Sequence, residues 1–264
     1  MQTEENALEI ALQLAASEPA HRPEFFRLLL DSTVFILGSS DELQEGSVTL
    51  KAHTKVQITN WARPDGSSVI PFFSSLRALQ LAIKGDETYI ALPARTFLEM
   101  TRGAELILNP RSPYGKEFTP EEVAALLTEG VNRVPTRRVV EQDTQVLLGQ
   151  PKDYPTKLVA SLSTLLAKHS NVKAAYLALM LDKSANEKPH LIVGIEADGD
   201  YENVLREAGT VAADLAADGE PIDFLRVTRG DRGVGEYLIE EVKPFYQRAA
   251  RLDYDSNRSQ EDET

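Results

Sequence analysis

The chain has 264 residues, of which 42% are hydrophobic, and its 41 acidic residues outnumber its 28 basic residues to give a formal net charge of −13. Binding to nucleic acids or anionic membranes relies on clustered Lys and Arg, so this acidity argues against both kinds of partner. The chain contains no cysteine, which excludes disulfides, thiolate nucleophiles and cysteine-ligated metal centres.

The first half of the chain alternates predicted helices and strands. Helices are predicted over residues 4–16, from Phe25, after Ser74 or Ser75, over 94–101 and after Thr119, and strands over 34–37, 58–61, 68–73, 89–92 and 106–108. A turn with Pro64 and Gly66 joins two of these strands into a hairpin. Thr119 and Glu122 flank Pro120 as a capping box, which predicts where the last helix begins.

The second half follows the order β-α-β-β-α-β-α. Strands are predicted over residues 145–148, 174–181, 191–195 and 222–227, and helices over 155–168, 204–215 and 234–245, the last one kinked or ending near Pro244. This order favours a mixed sheet with packed helices. Because the pattern lapses around Pro135, we predict an α/β (α+β) protein of two domains, 1–132 and 143–250, followed by a disordered acidic tail, 251–264.

The sequence contains no predicted membrane segment. Its longest uninterrupted apolar run is the eight residues 174–181, whereas a membrane-spanning helix needs about 20. The first residues are acidic, unlike the basic start of a signal peptide. A cytoplasmic location is therefore expected.

Several segments resemble the enhanced serine sensitivity protein B (SseB) family. In the first half they are Glu18-Pro-Ala-His-Arg-Pro23 before Phe25 and Phe26, Trp61 with Asp65-Gly66, Ser68-Val-Ile-Pro-Phe-Phe73, Thr96-Phe-Leu-Glu-Met-Thr101 and Gly115-Lys-Glu-Phe118. In the second half they are Leu191-Ile-Val-Gly-Ile-Glu-Ala-Asp-Gly-Asp200, Pro221-Ile-Asp223 and Pro244-Phe-Tyr246. Their order and spacing run from about residue 7 to residue 250.

The resemblance implies two consecutive SseB domains, in agreement with the division predicted above. The family name refers to a growth phenotype connected with serine, and the resemblance brings no catalytic residues to this sequence. A type III secretion translocon protein that shares the name carries apolar membrane-inserting segments. This sequence has none, so we reject that alternative.

An acidic motif near the end of a predicted strand is the main candidate for a cation or ligand site. Glu196, Asp198 and Asp200 alternate along the chain, so a strand would place all three carboxylates on one side, where they could bind Mg²⁺. The simpler interpretation is that Asp200 caps the following helix and the other two acids lie near its positive end. We favour capping over a metal site.

Other candidate sites have weaker patterns. Gly230-Asp-Arg-Gly-Val-Gly235 precedes a helix but is followed by Glu236, which would repel phosphate. The four histidines are far apart in the sequence, and the nucleophile pattern G-x-S-x-G is absent. The aromatic residues Trp61, Phe72 and Phe73 lie on the predicted hairpin, where they are candidates for a partner-facing surface.

The sequence therefore predicts no catalytic residues, no cofactor and no metal. The first hypothesis is a non-enzymatic cytoplasmic protein-interaction or regulatory protein with a link to serine or amino-acid metabolism. Its acidic surface favours a basic protein partner, and a homo-oligomer is compatible with the sequence. The alternative is a module that binds a small ligand, an amino acid or a metal, in a cleft between the domains. An acid-dependent hydrolase at Glu196, Asp198 and Asp200 is the third hypothesis.

Overall fold

The structure, a computed structural model, describes residues 5–40, 56–132, 146–182, 188–216 and 220–249. The first domain contains helices α1 (Ala7–Ser17), α2 (Arg22–Asp31), α3 (Leu76–Ala82), α4 (Ala94–Met100) and α5 (Pro120–Glu129). Its strands are β1 (Thr33–Ser39), β2 (Gln57–Ile58), β3 (Trp61–Ala62), β4 (Ser68–Phe73), β5 (Tyr89–Pro93), β6 (Leu106–Leu108) and β7 (Lys116–Phe118). A short 3-10 turn, Pro19–His21, separates α1 from α2.

The sheet of the first domain is mixed. Strand β1 lies between β5 and β4 and is antiparallel to both, whereas β4 and β6 are parallel and β7 returns antiparallel to β6. The predicted hairpin is confirmed, since β3 pairs with β4 across a turn in which Gly66 has a φ of 86°. The predicted capping box is also confirmed, because Thr119 and Glu122 exchange side-chain and backbone hydrogen bonds at the start of α5.

Helices cover both faces of this sheet. On one face Phe72 packs among Phe97 and Phe118, with ring centroids 5.0 and 5.8 Å away. On the other face Phe73 belongs to a smaller cluster with Leu79 of α3. Both Phe72 and Phe73 have 0% exposure, so the interpretation of these two residues as a partner-facing surface is wrong. The alternation along β4 does point them in opposite directions, but α3 covers the second face.

The second domain follows the predicted order of elements. Its strands are β8 (Val146–Gly149), β9 (Val172–Asp182), β10 (His190–Ala197), β11 (Ile222–Arg226) and β12 (Tyr246–Gln247), and its helices are α6 (Thr156–Lys168), α7 (Tyr201–Leu215) and α8 (Val234–Glu240). Strand β10 pairs antiparallel with β9 and parallel with β11, so this sheet is mixed too. The last helix is shorter than the predicted range 234–245. Helix α8 ends at Glu240, and Tyr246 lies in β12, which pairs with β9.

The second sheet is also covered on both faces. Alternate residues of β9 separate its two cores: Leu177 packs with α6 and α7, and Tyr176 packs with Leu238 of α8. Gly194 of β10 lies under α8, where a Cβ atom would come within 2.8 Å of Leu238 Cδ1. The α+β architecture predicted from the sequence is therefore confirmed as two mixed sheets with packed helices.

The two domains meet at the 3-10 turn between α1 and α2. Ala20 of this turn has 0% exposure and belongs to the core cluster of the second domain. Two residues of α6 hold the turn: Ser161 donates a hydrogen bond of 2.5 Å to Glu18, and Lys168 donates one of 2.9 Å to the carbonyl of Ala20. We call this contact the domain joint, defined by residues 18–22 together with α6 and α7.

Some predicted features lie outside the described residues, namely the connection around residues 133–142 and the acidic tail 251–264. The exact domain limits, 1–132 and 143–250, stay a prediction. Within the described ranges, none of the helices combines the length and the apolar character needed to cross a bilayer.

Candidate functional site

The acidic motif at the end of β10 forms a helix cap. Asp200 precedes α7, and its Oδ1 accepts a hydrogen bond of 3.2 Å from the backbone N–H of Asn203. This is the cap that the sequence predicts.

The other two acids of the motif have different partners. Asp198 Oδ1 lies 2.8 Å from Lys173 Nζ, and Glu196 Oε1 lies 3.9 Å from Arg229 Nε. Burial, followed by the charge of Glu196, raises the pKa of Tyr176. In the part of the chain that the structure describes, no three His, Asp or Glu residues are arranged to hold a metal ion. The motif therefore gives no support to the cation or hydrolase hypotheses.

The remaining sequence candidates lie apart from one another. Trp61 is half-buried and packs against the cluster around Phe73, so its role in partner binding stays a prediction. His169 and His190 each pair with one carboxylate, those of Glu207 and Asp223, at 3.0 and 2.8 Å. These contacts join neighbouring elements and do not form a common site.

A cavity of about 360 Å³ opens at the domain joint. Its wall comes from α1, α2, the start of β7, α5, the residues after α5 and the end of α7. The residues that line it are Leu12, Ala15, Ala16, Arg22, Phe25, Phe26, Gly115, Lys116, Glu122, Asn132 and Asp214. Arg22, Phe25, Phe26, Gly115 and Lys116 belong to segments that carry the family resemblance. We call this space the joint cavity.

Arg22 connects the two domains along one side of the joint cavity. Its Nε donates a hydrogen bond of 3.3 Å to the carbonyl of Ala15 at the end of α1. Its Nη1 forms an ion pair with Asp214 of α7, whose side chain is only 12% exposed. Arg22 therefore both lines the cavity and ties α1 and α2 to the second domain.

Lys116 and Glu122 form the second ion pair of the cavity wall. Lys116 Nζ lies 3.1 Å from Glu122 Oε1 and 4.7 Å from the centre of the Phe118 ring. Burial alone would raise the pKa of Glu122, but the charge of Lys116 and hydrogen bonds from Asn132 and the Thr119 amide outweigh burial, and the pKa is lowered. Glu122 is therefore ionised at neutral pH.

Asn132 has an acceptor that is not used. Its Nδ2 donates a hydrogen bond of 3.1 Å to Glu122 Oε1, which fixes the orientation of the amide because the reverse orientation would place two oxygens together. Asn132 is 6% exposed, and its Oδ1 has no hydrogen-bond partner among the described residues. Buried polar atoms are nearly always hydrogen-bonded, and this oxygen is an exception that is enclosed within the wall.

Sequence reasoning predicted a cleft between domains in general terms but did not identify these residues. Arg22, Lys116, Asn132 and Asp214 come from four distant parts of the chain, and only the packing of the two domains brings them together. The one local signal was the capping box, which placed Glu122 at the start of α5.

Comparison with known proteins agrees with this architecture. The model of the SseB protein N-terminal domain matches residues 8–125, and that of the SseB protein C-terminal domain matches residues 140–248. The chain is 38% identical over 248 residues to Protein SseB of Escherichia coli (strain K12) and equally to Protein SseB of Shigella flexneri. Each alignment covers 94% of both chains. No solved structure matches the chain. The chain therefore belongs to the SseB family.

Proposed function

We propose that this chain is a non-enzymatic regulatory protein of the cytoplasm that binds a small charged ligand in the joint cavity. The observation that carries the proposal is a cavity between two domains whose wall contains two ion pairs, Arg22 with Asp214 and Lys116 with Glu122. Ligand sites favour domain interfaces, where a few polar groups converge within an otherwise apolar wall.

The charges of the cavity support binding better than catalysis. A general acid or base works best with a pKa near the operating pH, whereas the pKa of Glu122 is lowered by Lys116 and by its hydrogen bonds despite burial. Asp214 is held by Arg22. Glu122 thus serves as a fixed negative charge suited to orient a ligand.

Arg22 supports a regulatory role, because it belongs to the cavity wall and to the domain joint at once. A ligand group that binds Arg22 competes with or reinforces the ion pair with Asp214. Ligand binding and the stability of the joint are then coupled, and each affects the other by the same free energy. A cavity within one domain would lack this property.

The proposal can be tested with a ligand-detected NMR screen of the full chain. The library contains small anions, cations, zwitterions and neutral polar compounds, and hits are measured again with Asn132→Leu. We expect at least one hit whose binding is lost in this variant and retained in the control Asn203→Leu, which changes an asparagine of α7 outside the cavity wall. A set of hits that bind both variants equally would contradict the proposal.

A second candidate function, binding to a protein partner, is favoured by the exposed side of α1. Ile10 and Leu14 are one helical turn apart, and their exposures are 47% and 43%. The net charge of −13 favours a basic partner. A photo-crosslinker at Leu14 should capture a basic protein from native lysate at low salt, and an Ile10→Ser variant should reduce the yield. Equal yields from a crosslinker at the exposed Ala124 of α5 would contradict this candidate.

A further inference from the structure

We propose that the free edge of strand β5 (Tyr89–Pro93) is a docking surface for a second copy of this chain. In the resulting two-fold dimer, β5 of one copy pairs antiparallel with β5 of the other, and each Ala91 lies opposite the Ala91 of the second copy. Three properties of β5 carry this inference: an unpaired backbone edge, exposed side chains on one face, and opposite charges at its two ends. Strand β5 contributes no residue to the joint cavity, so the dimer and the ligand site are tested separately.

One side of β5 is unpaired among the described strands, because β5 pairs only with β1. The carbonyl of Thr88 accepts a hydrogen bond of 3.1 Å from the N–H of Gly38 in β1. The alternation of an antiparallel ladder therefore turns the backbone groups of residues 89, 91 and 93 away from β1. Unpaired edges of this kind are templates for pairing with a strand of another chain.

The exposed side chains of β5 share one face of the sheet. Tyr89, Ala91 and Pro93 are exposed, and Tyr89 keeps 48% of its surface accessible, whereas Ile90 and Leu92 are buried. The other described edge strand of five residues, β11, lacks such a face, since its apolar side chains are half-buried against its own domain. The edge of β5 is thus the one that offers apolar surface to a partner strand.

A two-fold axis at Ala91 uses the hydrogen-bond donors of this edge. The two Ala91 residues exchange a pair of backbone hydrogen bonds, and the N–H of each Tyr89 donates to the carbonyl of Pro93 in the other copy. Proline has no N–H, so Tyr89 and Ala91 supply the donors in each copy and both are used. The ring of Tyr89 then lies opposite that of Pro93, which removes apolar surface from water. Because both copies use the same edge, the pairing closes at two.

Opposite charges select this register. Glu87 precedes β5 and Arg95 follows it, so pairing about Ala91 places each Glu87 opposite the Arg95 of the other copy. Both side chains are exposed, and within the described part of the chain no ion pair includes either of them. An axis at Ile90 would instead place Glu87 opposite Pro93 and would form neither intermolecular ion pair. Charge complementarity between two copies therefore favours the axis at Ala91.

Arg95 occupies a position that its own helix disfavours. It lies in the first turn of α4, where a cation opposes the helix dipole. Its Nη1 donates a hydrogen bond of 3.5 Å to the carbonyl of Leu127, which engages one of the five N–H donors of the guanidinium. The carboxylate of Glu87 from a second copy would accept from further donors and would offset the unfavourable interaction with the dipole.

The dimer is tested by sedimentation of the full chain between about 1 μM and 1 mM, since small interfaces associate weakly. The salt concentration is about 0.15 M, where a Debye length of about 8 Å screens the net charge of the two copies. We expect a concentration-dependent species of twice the chain mass of 29.2 kDa.

Charge reversal tests the contact between Glu87 and Arg95. Glu87→Lys and Arg95→Glu should each weaken dimerisation about tenfold, because two symmetry-related pairs change from attraction to repulsion. The double variant restores opposite charges and should dimerise as the natural chain does. Glu99→Lys, which makes the same change of charge at an exposed acid of α4, is the control and should have no effect. Melting curves establish that each variant is folded.

A single cysteine tests the register, because the natural chain contains none. The Cα atoms of a hydrogen-bonded antiparallel pair lie about 5.5 Å apart, within the range of about 4.4–6.8 Å that a disulfide spans. Mild oxidation should therefore crosslink Ala91→Cys into a covalent dimer. The control is Ala124→Cys, at an exposed residue of α5, which should remain a monomer on denaturing gels.

A natural chain that stays monomeric over the whole concentration range overturns the inference. A dimer that neither charge reversal weakens and that Ala91→Cys does not crosslink also overturns it, because two copies then meet at another surface. Dimerisation that each single reversal weakens and the double variant does not recover overturns the pairing of Glu87 with Arg95.

Discussion

The hydroxyl of Ser161 donates a hydrogen bond of 2.5 Å to the carboxylate of Glu18, although the two residues lie 143 positions apart. The same Glu18 oxygen accepts from the backbone N–H of Ala20 at 3.5 Å, so one carboxylate both shapes the 3-10 turn and attaches it to α6. Within the domain joint this bond lies beside Lys168, which holds the carbonyl of Ala20.

Ser161→Ala should destabilise the protein by about 1.5–3 kcal/mol, because hydrogen bonds to charged groups lie in this range and Ser161 is buried. Ser163→Ala is the matched control. Ser163 lies in the same helix and donates only to the carbonyl of Val159 within α6, so its removal should cost less than 1 kcal/mol. Urea unfolding of both variants measures the difference, and equal costs would show that the Glu18 bond does not stabilise the joint.

Asp200→Ala should cost about 1 kcal/mol of stability, because the N–H of Asn203 loses its cap acceptor, whereas Asp200→Ser should cost much less. Asp198→Asn is the control, since the Asp198 side chain forms an exposed pair with Lys173, and pairs of this kind contribute about 0–1 kcal/mol. Thermal melts should not respond to millimolar Mg²⁺. A Mg²⁺-dependent increase in Tm that is absent from both Asp200 variants would instead support a cation site.

Gly194→Ala should destabilise the second domain by about 1–3 kcal/mol through overpacking. The added Cβ would lie 2.8 Å from Leu238 Cδ1 and 2.9 Å from Val227 Cγ1, and both neighbours are buried. Leu238→Ala removes one of these contacts, so the double variant should be less destabilised than the sum of the two single variants. Strict additivity in chemical denaturation would argue against a steric role for Gly194.

His21 should make the stability of the protein depend on pH below about 6.5. Burial, and then the charge of Lys168, lower the pKa of His21, and the opposing effects of Glu18 and Glu24 are smaller. The unfolded chain therefore takes up a proton on His21 before the folded chain does as the pH falls. The free energy of unfolding then decreases between the unfolded pKa of about 6.5 and the lower folded pKa.

Urea unfolding between pH 5 and pH 7.5 should show a smaller decrease in His21→Gln than in the natural chain. In Lys168→Met, an NMR titration should find the pKa of His21 closer to its ordinary value, since the adjacent positive charge is gone. A pKa of His21 that is the same with and without Lys168 would contradict the electrostatic explanation.

Local signals in the sequence predicted the features that depend on residues a few positions apart. The Thr119 and Glu122 box, the Asp200 cap and the Gly66 turn belong to this class, since backbone geometry and nearby hydrogen bonds determine them. Periodicity also predicted the order of elements in the second domain. Strand β12 escaped prediction because two residues carry no period, and its position depends on pairing with β9.

Long-range packing determined the features that the sequence did not predict. The burial of Phe73 depends on α3 covering the second face of the sheet. The joint cavity depends on α7 bringing Asp214 to Arg22. The family resemblance identified the segments around Arg22 and Lys116 but gave no indication that they meet in space. Such a site becomes visible only when both domains are in place.

The insertion of Ala20 into the core of the second domain has a consequence for synthesis on the ribosome. The first domain has its strands and helices once α5 has emerged, but the surface that buries Ala20 includes α6 and α7. At about 5–20 residues per second, those helices follow on the order of ten seconds later. During this interval the nascent chain exposes Ala20, which its own later residues bury in the folded protein.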